Sequence, residues 1–197
     1  MTNLNSQALI ELNKKLNLLP EGVEVVIYCD MDGVLAQWDK ACNPEIIYEK
    51  DYFYNLLLEP CMKEALLHLH HAGFKVSILS AAAVEGYARG DKSRWLEKHG
   101  MKDLPRLYSP LGHNKTDSIE VKPNTVYVLL DDFNPNLLGW GQTDVEGAKF
   151  VAIKFLNGIN GGSDTWQGQT IYHRSSGIAI AYELADAAVM AALTMNK

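Results

Sequence analysis

Apolar positions along the chain fall into two spacings, and the switch between them marks out the elements. From Ser6 to Leu18 the residues Leu9, Ile10, Leu12, Leu16 and Leu19 recur at roughly helical intervals and predict an amphipathic helix. Pro20-Glu21-Gly22 ends it. Val25 to Cys29 then runs without a charged interruption, as a strand buried on both faces of a parallel sheet does. Phe74 to Leu79, Thr125 to Leu130 and Lys149 to Phe155 have the same character, and Pro105 to Ser109 and Trp166 to Tyr172 read as a short strand and an edge strand. Helical patterns separate them. Cys61 to Ala72 carries Met62, Ala65, Leu66 and Leu69 on one face before the stop at Gly73; Asp91 to His99 stops at Gly100; Ile178 to Leu193 is a final apolar helix. Strands alternating with helices predict an α/β fold, a three-layer Rossmann-like sandwich with a mostly parallel sheet. The 197 residues suffice for one such domain. Residues 37–60, rich in aromatics, are too many for a turn and too few for a domain. They predict a small helical cap inserted after the first strand.

The chemistry gathers where strands end. Val25 to Cys29 runs into Asp30-Met31-Asp32-Gly33, and the Thr125 strand runs into Asp131-Asp132. Acids at the carboxyl ends of parallel strands sit where open α/β sheets bind ligands. Carboxylates this close repel one another unless a cation or a shared proton compensates, so the pattern proposes a metal site. Oxygen ligands of this kind suit Mg²⁺. Ser80 closes the Phe74 strand, where a hydroxyl and the free backbone N–H groups after it can hold a phosphate oxygen. Lys115 stands 16 residues before Asp131 and is the preferred balancing cation, with Lys122 and Lys92 as rivals. Trp38 and Phe53 are the aromatics placed to line a pocket, on which a planar base or sugar can rest.

Other features narrow the field. The net charge of −6 argues against broad binding to nucleic acid or to an anionic membrane. Cys29, Cys42 and Cys61 show neither a paired framework nor metal-ligand spacing, which fits reducing, cytoplasmic conditions. The amino-terminal residues lack the apolar core of a signal peptide, and no stretch approaches membrane-span length. His68, His70 and His71 do not share one helix face and read as a solvated helix end. Phe133-Asn134-Pro135-Asn136 reads as a turn, and Asn157 to Gly162 as a pocket rim or a plain connection, of which connection is preferred.

Asp-Met-Asp-Gly-Val after a hydrophobic strand, then Ser80, Lys115 and Asp131-Asp132 in that order, resembles the four motifs of the haloacid dehalogenase superfamily of phosphotransferases. Asp30 to Ala36 followed by Trp38, the short aromatic cap and Lys92 to His99 resemble its 5′(3′)-deoxyribonucleotidase group most. The resemblance implies that Asp30 is the nucleophile, forming an aspartyl-phosphate, and that Asp32 is the acid and base. It places Mg²⁺ on Asp30, Asp131 and the backbone carbonyl of Asp32, with Asp132 behind them. Ser80, the Ala81 N–H and Lys115 would hold the phosphoryl oxygens. Ser80-Ala81-Ala82 departs from the Thr-Ser-Pro common in that group, which bears on base and sugar preference. The expected activity is Mg²⁺-dependent hydrolysis of (deoxy)nucleoside monophosphates, a phosphoric monoester hydrolase reaction on a small molecule, with no membrane or nucleic-acid polymer as partner; the oligomeric state stays open. The alternatives are another small phosphate ester, such as a sugar phosphate, or a non-catalytic binding domain on the same scaffold. Glycosyltransferases and receiver domains also use acidic pairs, but not with these residues in this order.

Overall fold

The computed structural model describes residues 4–160 and 165–195. In chain order the elements are α1 (Ser6–Leu16), β1 (Glu24–Cys29), β2 (Ala36–Gln37), β3 (Leu57–Leu58), α2 (Pro60–His71), β4 (Lys75–Ala81), α3 (Ala88–Lys98), β5 (Arg106–Ser109), β6 (Thr125–Asp131), α4 (Asn134–Gly141), β7 (Ala148–Leu156), β8 (Gln169–Tyr172) and α5 (Gly177–Ala192). Six strands form one sheet in the order β5-β4-β1-β6-β7-β8. Every pairing in it is parallel. The expected α/β sandwich is present.

The sheet's centre follows from composition. All seven residues of β6 are buried, and β1 is buried from Ile27 to Cys29, so these two adjacent strands carry no solvent-facing side. One face packs against α1, α2 and α5 through Leu12, Leu66, Leu69, Ile180 and Leu184. The other is covered by α4, whose Trp140 meets Tyr28 edge-on at 5.7 Å and donates its indole N–H to the Tyr127 carbonyl at 3.2 Å. Placing β1 beside β6 brings the two acidic strand ends together.

Three sequence expectations change. Phe133 to Asn136 does not merely turn the chain away. It starts α4, with Pro135 in the first turn, where its missing N–H costs nothing. The cap holds no α-helix among its described residues: it consists of the 3₁₀ turns Pro44–Tyr48 and Phe53–Asn55 and the two-residue antiparallel ribbon of β2 and β3. Asn43-Pro44 and the β-branched and aromatic residues after it favour short turns over a sustained helix. His68 is fully buried, not solvated. Its Nδ1 lies 2.8 Å from the Glu64 carbonyl and its Nε2 accepts the Asn5 N–H at 3.1 Å, which ties the start of α1 to α2.

Candidate functional site

Asp30 lies just past the end of β1, and its N–H extends the ladder to the Leu130 carbonyl at 2.9 Å. The chain then reverses in a tight loop: the Ala36 N–H donates to Met31, and Gly33, at φ +78°, donates to the Ala36 carbonyl. Glycine is required there twice over. Its φ lies in the left-handed region, and a Cβ would overlap the Asp132 carboxylate. Gly33→Ala is therefore expected to lower stability by about 1–3 kcal/mol and to weaken metal binding at the same time. Chemical denaturation and a metal titration of the same variant check this; unchanged values in both would mean that Asp132 moves aside freely.

Asp30, Asp131 and Asp132 each present a carboxylate oxygen to one point, all within 4.8 Å of one another. These three buried or half-buried acids form a group that could hold a metal ion. Asp30 and Asp131 are the two carboxylates expected there, and Asp132, expected behind them, also turns its carboxylate to the cluster; the Asp32 carboxylate pairs with Lys92.

Two buried lysines lie under the cluster. Lys115 Nζ is 2.7 Å from Asp30 and 2.6 Å from Asp131. Both neighbours push its pKa up against the opposing effect of burial. Lys92, wholly buried, contacts Asp32 Oδ2 at 2.5 Å, Ser80 Oγ at 2.9 Å and the Ala81 carbonyl at 2.6 Å, and sits 4.5 Å over the Phe53 ring. Of the three lysines considered from sequence, Lys115 and Lys92 both belong to the site. Lys122 does not: it is exposed and faces Glu120.

This arrangement alters the part of Ser80. The hydroxyl was expected to reach a phosphoryl oxygen, but it is fully buried and faces Lys92 instead. The groups of that strand end that do line the cavity are Ala81, Ala82 and Ala83. That cavity has a volume of about 700 Å³ and is walled by Asp30, Asp32, Asp132, Trp38 and Phe53 among others. Ser80, Lys115 and Asp131 support it from below.

Burial raises the Asp131 pKa, with Asp30 adding to the effect, and lifts Asp132 to about 7 with help from Asp131 and Asp30. Asp32 rises to about 6, again chiefly through burial. Its Oδ2 is held by Lys92, while its Oδ1 is buried without a hydrogen-bond partner. Such an oxygen is suited to carry a proton to a ligand.

The sequence reading passed over several residues of this site. Asn157 donates to both the Gly33 carbonyl and Asp132 Oδ2, at 2.8 and 3.0 Å. Asn160 donates to Asp132 Oδ2 at 2.8 Å and to the Trp38 carbonyl at 3.0 Å. The loop preferred as a plain connection therefore fixes one acid of the cluster and the start of the cap; its Gly161 and Gly162 lie outside the described residues. Asn157 organises the loop itself by accepting the N–H groups of Ile159 and Asn160. Asn136 donates to Asp131 at 2.9 Å. An asparagine in a turn normally bonds its own backbone, and nothing local separates that use from a bond to a distant carboxylate.

Fold and site together define an α/β protein with a buried carboxylate cluster, able to hold a metal, at the carboxyl edge of a parallel sheet. No family model matches the chain. No curated protein matches it. Among solved structures, a chain of the Pnkp1/Rnl/Hen1 complex is similar at 21% identity and a TM-score of 0.46, over 68% of this chain and 48% of that one. A chain of the Pnkp1/Rnl/Hen1 RNA repair complex is similar at 18% identity and a TM-score of 0.44, over 68% and 44%. The matched region is about half the length of those chains or less.

Proposed function

We propose that the protein is a Mg²⁺-dependent phosphatase of the haloacid dehalogenase type that hydrolyses (deoxy)nucleoside monophosphates. What supports this most is the pairing of two differently placed acids two residues apart. Asp30 belongs to the carboxylate cluster and pairs with Lys115, whereas Asp32 stands outside it and pairs with Lys92. Burial raises Asp32 to about 6, so it is the acid of the pair suited to carry a proton.

In the first step a carboxylate oxygen of Asp30 attacks phosphorus and the ester P–O bond breaks. Asp32 gives its proton to the departing alkoxide through Oδ1. In the second step Asp32 takes a proton from water, the water oxygen attacks the aspartyl-phosphate, and phosphate leaves with the Asp30 carboxylate restored. Lys115 balances the negative charge that the Asp30 carboxylate carries before attack and regains on hydrolysis. A hard divalent cation on Asp30, Asp131 and Asp132 supplies positive charge against the carboxylates and the phosphoryl oxygens. Oxygen donors whose ionisation burial and mutual repulsion disfavour are fitted to such an ion. Trp38 and Phe53 border the space that the leaving nucleoside would fill.

The test is phosphate release from a panel of nucleoside monophosphates, glucose phosphate and glycerol phosphate, with Mg²⁺ and then with excess EDTA. Nucleotides are expected to be the best substrates and EDTA to abolish release. Undiminished hydrolysis in EDTA, or release from no ester, would overturn the proposal.

A further inference from the structure

A third lysine, Lys154 on β7, is buried near the carboxylates, and it differs from the other two. It is 6% exposed and lines the cavity. Lys92 and Lys115 each contact acids. Lys154 forms no ion pair among the described residues, and its ammonium donates to the Asn134 side-chain oxygen at 2.6 Å. One neutral amide uses one of three N–H donors. A buried ammonium is costly unless an anion and further acceptors compensate it, so the cavity side of Lys154 calls for an anion.

Its position places that anion. Lys154 is in register with Asp131 on the adjacent strand, and neighbouring strands lie about 4.8 Å apart. Asn134 and Asn136, in one turn of α4, hold Lys154 and Asp131 respectively. Lys154 thus adjoins the strand end that carries the cluster, while its ammonium pairs with none of the cluster's carboxylates. Lys40, exposed, also lines this cavity, with its ammonium 3.3 Å from the Asn160 carbonyl.

We propose that Lys154, held by Asn134, forms a second anion subsite, and that the substrate is a phosphate monoester carrying another phosphoryl group, a nucleoside 3′,5′-bisphosphate. This rests on the phosphatase reading above and names its substrate class. A charge-assisted contact made to one substrate and not to the other corresponds to about 10- to 150-fold in relative efficiency.

The experiment compares kcat/KM for deoxyadenosine 3′,5′-bisphosphate and deoxyadenosine 5′-monophosphate in the wild type, Lys154→Met and Lys154→Arg. The wild type is expected to favour the bisphosphate by at least about 10-fold. The ratio should fall close to one in Lys154→Met and persist in Lys154→Arg; Lys154→Gln replaces the methionine variant if melting shows that the latter does not fold. A wild-type ratio near one overturns the proposal. So does a ratio that survives in Lys154→Met, even if both rates fall, because Lys154 then only offsets the carboxylates at a distance. If neither ester is hydrolysed, the phosphatase reading fails by itself. The subsite is then decided by equilibrium binding of the bisphosphate to Asp30→Asn protein in Mg²⁺: binding lost on adding Lys154→Met supports it, and binding indifferent to Lys154 overturns it.

Discussion

Asp30→Asn is expected to lower phosphate release by roughly 10⁴-fold or more while leaving the protein folded. The size follows from what the substitution removes. The amide keeps the shape of the carboxylate, and its oxygen can occupy the position of Oδ1, 2.7 Å from Lys115 Nζ. It loses the negative charge and the oxygen on which the proposed aspartyl-phosphate would form. A 10⁴-fold loss is about 5.5 kcal/mol of transition-state stabilisation, far more than a change in packing at an isosteric site produces. Asp30 is 6% exposed beside two other acids, so neutralising it relieves repulsion and the melting temperature should not fall. Multiple-turnover phosphate release and thermal melting on one preparation check both halves. Near-normal turnover in a folded variant would remove Asp30 from the role of nucleophile and the proposed reaction with it.

What the sequence made legible divides along a physical line. The sheet could be read because its strands are consecutive apolar runs, and β6, buried at all seven positions, is the extreme case. The acids could be read because they stand at the ends of those runs, where topology alone brings Asp30 and Asp131 together. The supporting polar residues could be read only in part: Ser80 and Lys115 stand out, and Lys92 only as a rival to Lys115. Lys92 sits mid-helix in α3 and looks like any solvated lysine until the helix packs against β4 and carries it to Asp32 and Ser80. Asn157 and Asn160 reach Asp132 from 25 and 28 residues away, in a stretch whose turn-forming composition explains itself without that contact. Lys154 lies inside an apolar strand that carries a second lysine, Lys149, and only its burial at the cavity without an ion pair among the described residues distinguishes it. Helix α4 was missed for a related reason: asparagine and proline mark a turn and a helix start equally well.

The metal-free protein is expected to lose stability as the pH rises from about 4 to about 7, and Mg²⁺ should restore it. The unfolded aspartate titrates near 3.9, while burial and the neighbouring acids hold Asp132 at about 7 and Asp32 at about 6. Between those values the folded chain binds more protons than the unfolded one, so the slope of unfolding free energy against pH is negative. The stabilising difference is fully present below the unfolded value and gone above the folded ones. For Asp132 alone, a shift of about three pH units corresponds to about 4 kcal/mol, and about 2–4 kcal/mol allowing for coupling to Asp131. Glu24 and Asp51 are shifted the other way by Lys75 and Arg94, so what they contribute is lost only below this window. Denaturant unfolding at pH 5 and pH 8 in EDTA measures the drop. Asp132→Asn should flatten it and raise stability at pH 8, because the Asn157 and Asn160 donors still find a side-chain oxygen but no carboxylate has to ionise beside Asp131. With Mg²⁺ in excess, the wild-type difference should shrink because the cation favours the ionised carboxylates. A wild-type profile flat between pH 5 and 8 in EDTA, or one that Asp132→Asn leaves unchanged, would mean that the Asp132 carboxylate is not the strained group, and that its place in the metal-holding cluster is wrong.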